Sequence, residues 1–290
     1  MVALAKQLFW ASRPVSWVNT AYPFALTYLL VTGKMDNTFW VGTLFFLIPY
    51  NLLMYGINDV FDYESDLRNP RKGSIEGAVL HKKWHRPTLF YSFMLPLPFV
   101  SYLLVHGNLV SAAALLIVLF TVVAYSAPVL RFKERPVLDS LTSACHFVGP
   151  MVFALAFTGV DLFQPDVLKV TVAFALWGMA SHAFGAVQDI KADRAGGLAS
   201  IATAFGAANT GRFAFACYLI AGGLLATVPG PAALAAIAVV PYLVVVLPFL
   251  RLSDQDCERA NRGWRRFIWL NFFAGAVVTL LAIQWLRGSN

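Results

Sequence analysis

Nine runs of at least seventeen mostly apolar residues recur along this chain, and they limit its possible folds more than any other feature. They lie near 15–31, 39–57, 88–105, 109–125, 137–158, 169–188, 210–228, 232–250 and 267–286. A helix needs about 17–25 such residues to cross the hydrocarbon layer of a bilayer. Lipid offers the backbone no hydrogen bonds, so runs without a period-two pattern must satisfy their N–H and C=O groups as helices. The expectation is an all-α membrane protein with nine transmembrane helices. Composition agrees: 59% of the residues are hydrophobic and 13% charged, whereas soluble domains carry roughly 25% charge. Pro23 and Pro49 fall inside runs and predict kinks there. The opening segment MVALAKQLFWASRP has only a short apolar stretch and no small-residue cleavage site, so it reads as a lead-in to the first span.

The net charge of +7 comes from 22 basic against 15 acidic residues. All the lysines and arginines except Lys34, Lys169 and Arg287 fall in segments on the N-terminal side of the membrane. The positive-inside rule then predicts a multi-pass protein of the cell membrane. Its N-terminus and the loops on that side are cytoplasmic, and its C-terminus is opposite. Membrane placement accounts for the charge, so no nucleic-acid partner is expected. The 3 cysteines and 5 histidines show no C-x-x-C or His-x-x-x-His spacing. Neither a zinc site nor a disulfide framework is expected.

The second run ends in Asn58, Asp59, Asp62 and Asp66, the pattern N-D-x-x-D-x-x-x-D. Steps of three and four residues bring helical side chains onto one face. Carboxylates stacked this closely repel one another and call for a cation. Hard oxygen ligands suit Mg²⁺, which takes one or two carboxylates together with substrate phosphate oxygens. The sixth run ends similarly, in Gln188, Asp189 and Asp193. Both ends exit on the expected cytoplasmic side, and acids paired around metal are a known way to clamp a diphosphate. A solvated helix boundary is the plain alternative, and it is stronger for the second set than for the first.

Cations follow both sets. Arg68, Arg71 and Lys72 come after Asp66, Arg194 after Asp193, and Arg131, Lys133 and Arg135 after the fourth run. Arg68, Lys72, Arg131 and Lys133 are the candidates for binding diphosphate. Tyr125 and His182, near the same ends of the fourth and sixth runs, are candidate substrate-side residues. Each acid set closes the second helix of a four-helix block, about 15–126 and 137–250, with a ninth helix at about 267–286. A parallel duplication within one membrane-embedded domain of residues 1–290 would place the two sets face to face across a central cavity. A diphosphate at the membrane surface whose tail lies among apolar helices describes an isoprenoid diphosphate. Asp59, Asp62, Asp66, Asp189 and Asp193 are then the candidate catalytic acids.

N-D-x-x-D-x-x-x-D after the second run, D-x-x-x-D after the sixth and YSAPVLRFKERP after the fourth together resemble the UbiA superfamily of intramembrane prenyltransferases. The resemblance implies a helical bundle around a central cavity and a lateral opening for a lipid acceptor. It also implies Mg²⁺ held by Asn58, Asp62, Asp66, Asp189 and Asp193. SRPVSWVNTAYPF, FFLIPYNLLMYGINDVFDYESDLRNPRKGSIEGAVL and YSAPVLRFKERPVLDS look most like the bacterial lycopene elongases of fifty-carbon carotenoid synthesis. That likeness implies dimethylallyl diphosphate as donor and lycopene as acceptor. The final cation would lose a proton or capture water, and the bacterial members imply a hydroxylated product such as flavuxanthin. An aromatic acceptor, as in quinone, haem or chlorophyll-tail synthesis, stays open as the alternative. A cation transporter is the reading from a different class. Oligomeric state and any partner enzyme are left open by the sequence.

Overall fold

The computed structural model describes residues 2–67 and 80–288. The described residues form helices and connecting turns, with no strand among them. In chain order the α-helices are α1 (Val2–Ala11), α2 (Trp17–Thr32), α3 (Asn37–Leu47), α4 (Pro49–Phe61), α5 (Tyr63–Asp66), α6 (His85–Met94) and α7 (Leu97–His106). They continue as α8 (Leu109–Ser126), α9 (Leu138–Phe157), α10 (Pro165–Val187), α11 (Ile190–Gly196), α12 (Ile201–Ala226), α13 (Val240–Val246) and α14 (Asn261–Gly288). Helical turns of the tighter 3₁₀ type occupy Gly230–Val239, before α13, and Asp254–Ala260, before α14.

Among the described residues, seven helical stretches are long and apolar enough to cross a membrane. They match seven of the nine expected runs. The other two runs are also helical, as α2 and α12, but neither is among the seven. Helix α2 has 16 residues, just under the usual span length.

Local chemistry explains the boundaries. Asp36 caps α3 by accepting from the Phe39 N–H at 3.0 Å, and Gly33 ends α2 in the left-handed region at φ 66°. Reciprocal capping boxes, Asn108 with Ser111 and Ser200 with Thr203, start α8 and α12. Proline acts differently from run to run. Helix α2 continues through Pro23, whereas Pro49 splits the second run into α3 and α4. At that split the buried Asn51 amide donates to the carbonyls of Phe46 (2.9 Å) and Leu47 (3.0 Å) and to the Thr20 hydroxyl (2.6 Å). A side chain thus takes up carbonyls at the interrupted turn.

The chain forms two compact units, residues 1–132 with 149–160, and residues 133–148 with 161–290. Helix α9 therefore contributes its first half to the second unit and its second half to the first. In the first unit Phe24 packs between Phe46 and Phe153 at centroid distances of 5.3 and 5.9 Å. Gly42 lies directly against the Phe24 ring, where any Cβ would overlap it. Asn108 Nδ2 donates to the Ala156 carbonyl at 2.7 Å. These contacts draw 149–160 into the first unit. Lipid is as apolar as leucine, so close fit and buried hydrogen bonds, not exclusion from water, hold such helices together. In the second unit Tyr218, Tyr242, Trp177, Phe267 and Trp264 form an aromatic stack. Gly178 brings α10 against Ala144 of α9, and Gly185 brings it against Trp264 of α14.

Candidate active site: two acidic helix ends

In the first unit, α4 carries the first acid set at its C-terminal end. Asn58 and Asp59 lie in its last turn, and Asp62 is the capping residue, its N–H bonded to the Asn58 carbonyl at 2.9 Å. Helix α5 follows at once and closes with Asp66, which is described in its backbone only. Each of the other three is met by a different element. Ser126, the last residue of α8, donates its hydroxyl to Asn58 Oδ1 at 2.9 Å. Arg13, between α1 and α2, donates to Asp59 Oδ1 at 2.7 Å. Its guanidinium also lies 4.3 Å from the centroid of the Tyr55 ring, one turn before Asp59 on the same face of α4. The pair is largely dry: the side chains of Arg13 and Asp59 are 18% and 4% exposed. Arg131 reaches Asp62 more loosely, at 3.6 Å.

Arg131 comes to Asp62 on a tight turn. Its N–H bonds the Ala127 carbonyl at 3.0 Å. Val129 and Arg131 hold positive φ, 76° and 38°. Such values cost side-chain-bearing residues energy, most of all a β-branched valine. Tyr125, a residue before Ser126, is half-buried. Arg68, Arg71 and Lys72 lie outside the described residues.

The second unit carries the second set. Helix α10 ends at Val187, Gln188 caps it, and Asp189 opens the seven-residue α11. The Asp193 N–H bonds the Asp189 carbonyl at 2.8 Å, so the two aspartates stand one turn apart on one face. Gly197, at φ 69°, then ends α11. His182 lies on α10, seven residues before Asp189. Its Nδ1 is hydrogen-bonded to the Ser140 hydroxyl at 3.0 Å. Asp139, fully buried beside Ser140, accepts from the backbone N–H of Ser140 and of Ile201, both at 2.7 Å. Lys133 lies half-buried on a short 3₁₀ turn, Phe132–Glu134.

Sequence reasoning found the acids and missed what holds them. Arg13 looks like any basic residue before a first span, and Ser126 and Asp139 lie at the two ends of YSAPVLRFKERPVLDS, outside its cations. No local signal marks their long-range contacts.

Among the described residues no three His, Cys, Asp or Glu side chains gather as a metal cluster. Each unit instead offers a sparse set of hard oxygens, an amide and carboxylates in the first and a carboxylate pair in the second. Such donors fit Mg²⁺, which keeps waters and completes its shell with substrate phosphate. They do not fit the closed sulfur and nitrogen shells of structural zinc.

The model of the UbiA prenyltransferase family matches residues 20–282. The chain belongs to that family. It is a multi-pass membrane prenyltransferase, as the helical architecture and the acidic helix ends led one to expect. A lycopene elongase/hydratase of Corynebacterium glutamicum is 49% identical over 283 residues, 98% of each chain. A Dietzia protein named for the biosynthesis of fifty-carbon β-cyclic carotenoids is 53% identical over 281 residues. That match takes in 97% of this chain but only 65% of the Dietzia protein. Among solved structures, a UbiA homologue from Archaeoglobus fulgidus bound to dimethylallyl diphosphate and Mg²⁺ has a TM-score of 0.69 at 19% identity. It covers 93% of this chain and 99% of its own. At that identity the likeness speaks for the fold alone.

Proposed function

We propose that this prenyltransferase adds five-carbon units from dimethylallyl diphosphate to the two ends of lycopene. The end-to-end similarity to a lycopene elongase/hydratase carries this reading. Asn58, Asp62 and Asp66 of the first set and Asp189 and Asp193 of the second would hold Mg²⁺. When bound, the metal supplies positive charge to the departing diphosphate. Asp59 belongs to the first set through its place in the cluster.

The chain's own groups would do the rest. Arg131, 3.6 Å from Asp62, would follow the negative charge onto the diphosphate as the allylic C–O bond breaks and its electron pair leaves with oxygen. Lys133 adds a second cation, and Arg68 and Lys72 are proposed for the same role on sequence alone. The allylic carbon then bonds to a terminal double bond of lycopene, leaving a tertiary cation. Water oxygen adds to that cation and a proton departs, giving a hydroxylated fifty-carbon carotenoid such as flavuxanthin. Tyr125 and His182 would line the substrate side. In this reading residues 1–290 act as one membrane-embedded domain, with the N-terminus and acidic ends at the cytoplasmic face.

Expression in cells that accumulate lycopene, with mass analysis of the pigments, tests the acceptor. The reading expects lycopene to gain two five-carbon units, with water added at the new ends. If no such addition appeared while dimethylallyl diphosphate was available, lycopene would be excluded and an aromatic acceptor favoured.

A further inference from the structure

Helix α12 contains a break that a single ion pair repairs. At Gly206 the backbone leaves helical geometry, with φ 78° and ψ 166°. An unbroken helix would bond the Ala207 N–H to the Thr203 carbonyl, four residues back. Here Ala207 donates to Asp254 Oδ1 at 2.7 Å, and Arg194 Nη2 donates to the Thr203 carbonyl at 3.0 Å. Arg194 Nη1 and Asp254 Oδ2 are themselves 2.8 Å apart. The carboxylate takes up the N–H, the guanidinium takes up the C=O, and the two charges meet. Position 206 must be glycine, because its φ is positive and a Cβ there would sit 2.9 Å from Asp254 Oδ1.

Arg194 directly follows Asp193, so this repair also fixes the second acid set. The same segment reaches the neighbours of that set at two further points, one a hydrogen bond and one a loose, exposed ion pair. Asn261 Nδ2 donates to Gln188 Oε1 at 2.6 Å, and the Gln188 amide donates in turn to the Gly185 carbonyl at 2.9 Å. Glu258 lies 3.9 Å from the Lys191 ammonium. The three gripped residues, 188, 191 and 194, are spaced by three. At about 100° of helical rotation per residue, their common face lies opposite that of Asp189 and Asp193.

We infer that the segment Asp254–Asn261 is a clasp that sets the second aspartate pair from behind, with Asp254 and Asn261 as positioning residues for donor binding. Arg194 serves this clasp and not the diphosphate. The inference rests on the proposed reading of Asp189 and Asp193 as acids that hold metal and diphosphate.

The test uses the full chain in detergent, with Mn²⁺ as a paramagnetic probe titrated in the presence of inorganic diphosphate and no acceptor. Supporting partners of metal ligands typically change metal affinity by about 10–100-fold when removed. Asp254→Ala should weaken Mn²⁺ binding and raise the KM for dimethylallyl diphosphate within that range, leaving the KM for lycopene unchanged. Asp254→Asn keeps an acceptor for the Ala207 N–H but loses the charge, and should fall between. Asn261→Ala tests the other arm without touching α12, and remains informative if Asp254→Ala does not fold. A merely structural role would lower the melting temperature and leave Mn²⁺ affinity unmoved in the folded protein. Folded Asp254→Asn and Asn261→Ala proteins with wild-type Mn²⁺ affinity and donor KM would overturn the clasp. Wild-type protein that bound no Mn²⁺ with diphosphate would overturn the proposed function, and the clasp with it.

Discussion

The two acidic helix ends resemble each other in sequence and differ in how the protein holds them. In the first unit the motif residues themselves take the contacts, Asn58 from Ser126, Asp59 from Arg13 and Asp62 from Arg131. In the second, contacts also reach neighbours of the aspartates, at Gln188, Lys191 and Arg194. A residue that must bind substrate cannot also be fully spent on structure. In the first set Asp59 is buried in an ion pair with Arg13, and Arg131 stands 3.6 Å from Asp62.

The comparison can be broken most decisively at the acids. Asp62→Ala and Asp189→Ala should each cut prenyl transfer to background while the protein stays inserted and folded, read as fifty-carbon product per milligram of membrane protein. Near-normal activity in both would remove any common role for the two ends. Next in size is Arg13→Ala, which removes the guanidinium from a nearly dry carboxylate. Breaking a buried pair from one side typically costs about 3–5 kcal/mol, so a large fall in the detergent melting temperature is expected. Replacing both partners, as Arg13→Met with Asp59→Leu, should recover much of that stability. Ser126→Ala should cost about 1 kcal/mol, the usual net worth of one hydrogen bond. Arg131→Gln should matter least for stability, below about 1 kcal/mol for a loose, partly exposed pair, yet it should raise the KM for the diphosphate donor. A stability loss at Arg131 as large as that at Arg13 would erase the distinction between Asp59 and Asp62.

The helices and acids were legible in the sequence because both depend on short-range periodicity. Spans announce themselves by apolar length, and Asp189 and Asp193 by a spacing of four. Boundaries were less legible where a local group overrides hydropathy. The seventh run begins at Ile201, well before 210, because Ser200 and Thr203 cap it there. The second run is two helices because Pro49 interrupts it, while Pro23 leaves α2 continuous. The supports of the site were not legible at all. Arg13 meets Asp59 across 46 positions and Asp254 meets Ala207 across 47, and neither pair leaves a trace in composition or period. An arginine before a first span and an aspartate in a polar loop are unremarkable until the fold brings their partners to them.

The proposed function requires the acidic ends to bind a diphosphate with metal for transfer to lycopene. Its most direct test is purified protein with lycopene and dimethylallyl diphosphate, assayed by product mass before and after metal is stripped with a chelator. The account predicts a gain of two five-carbon units that disappears with the metal and returns when Mg²⁺ is restored. Undiminished product in the stripped protein would contradict it.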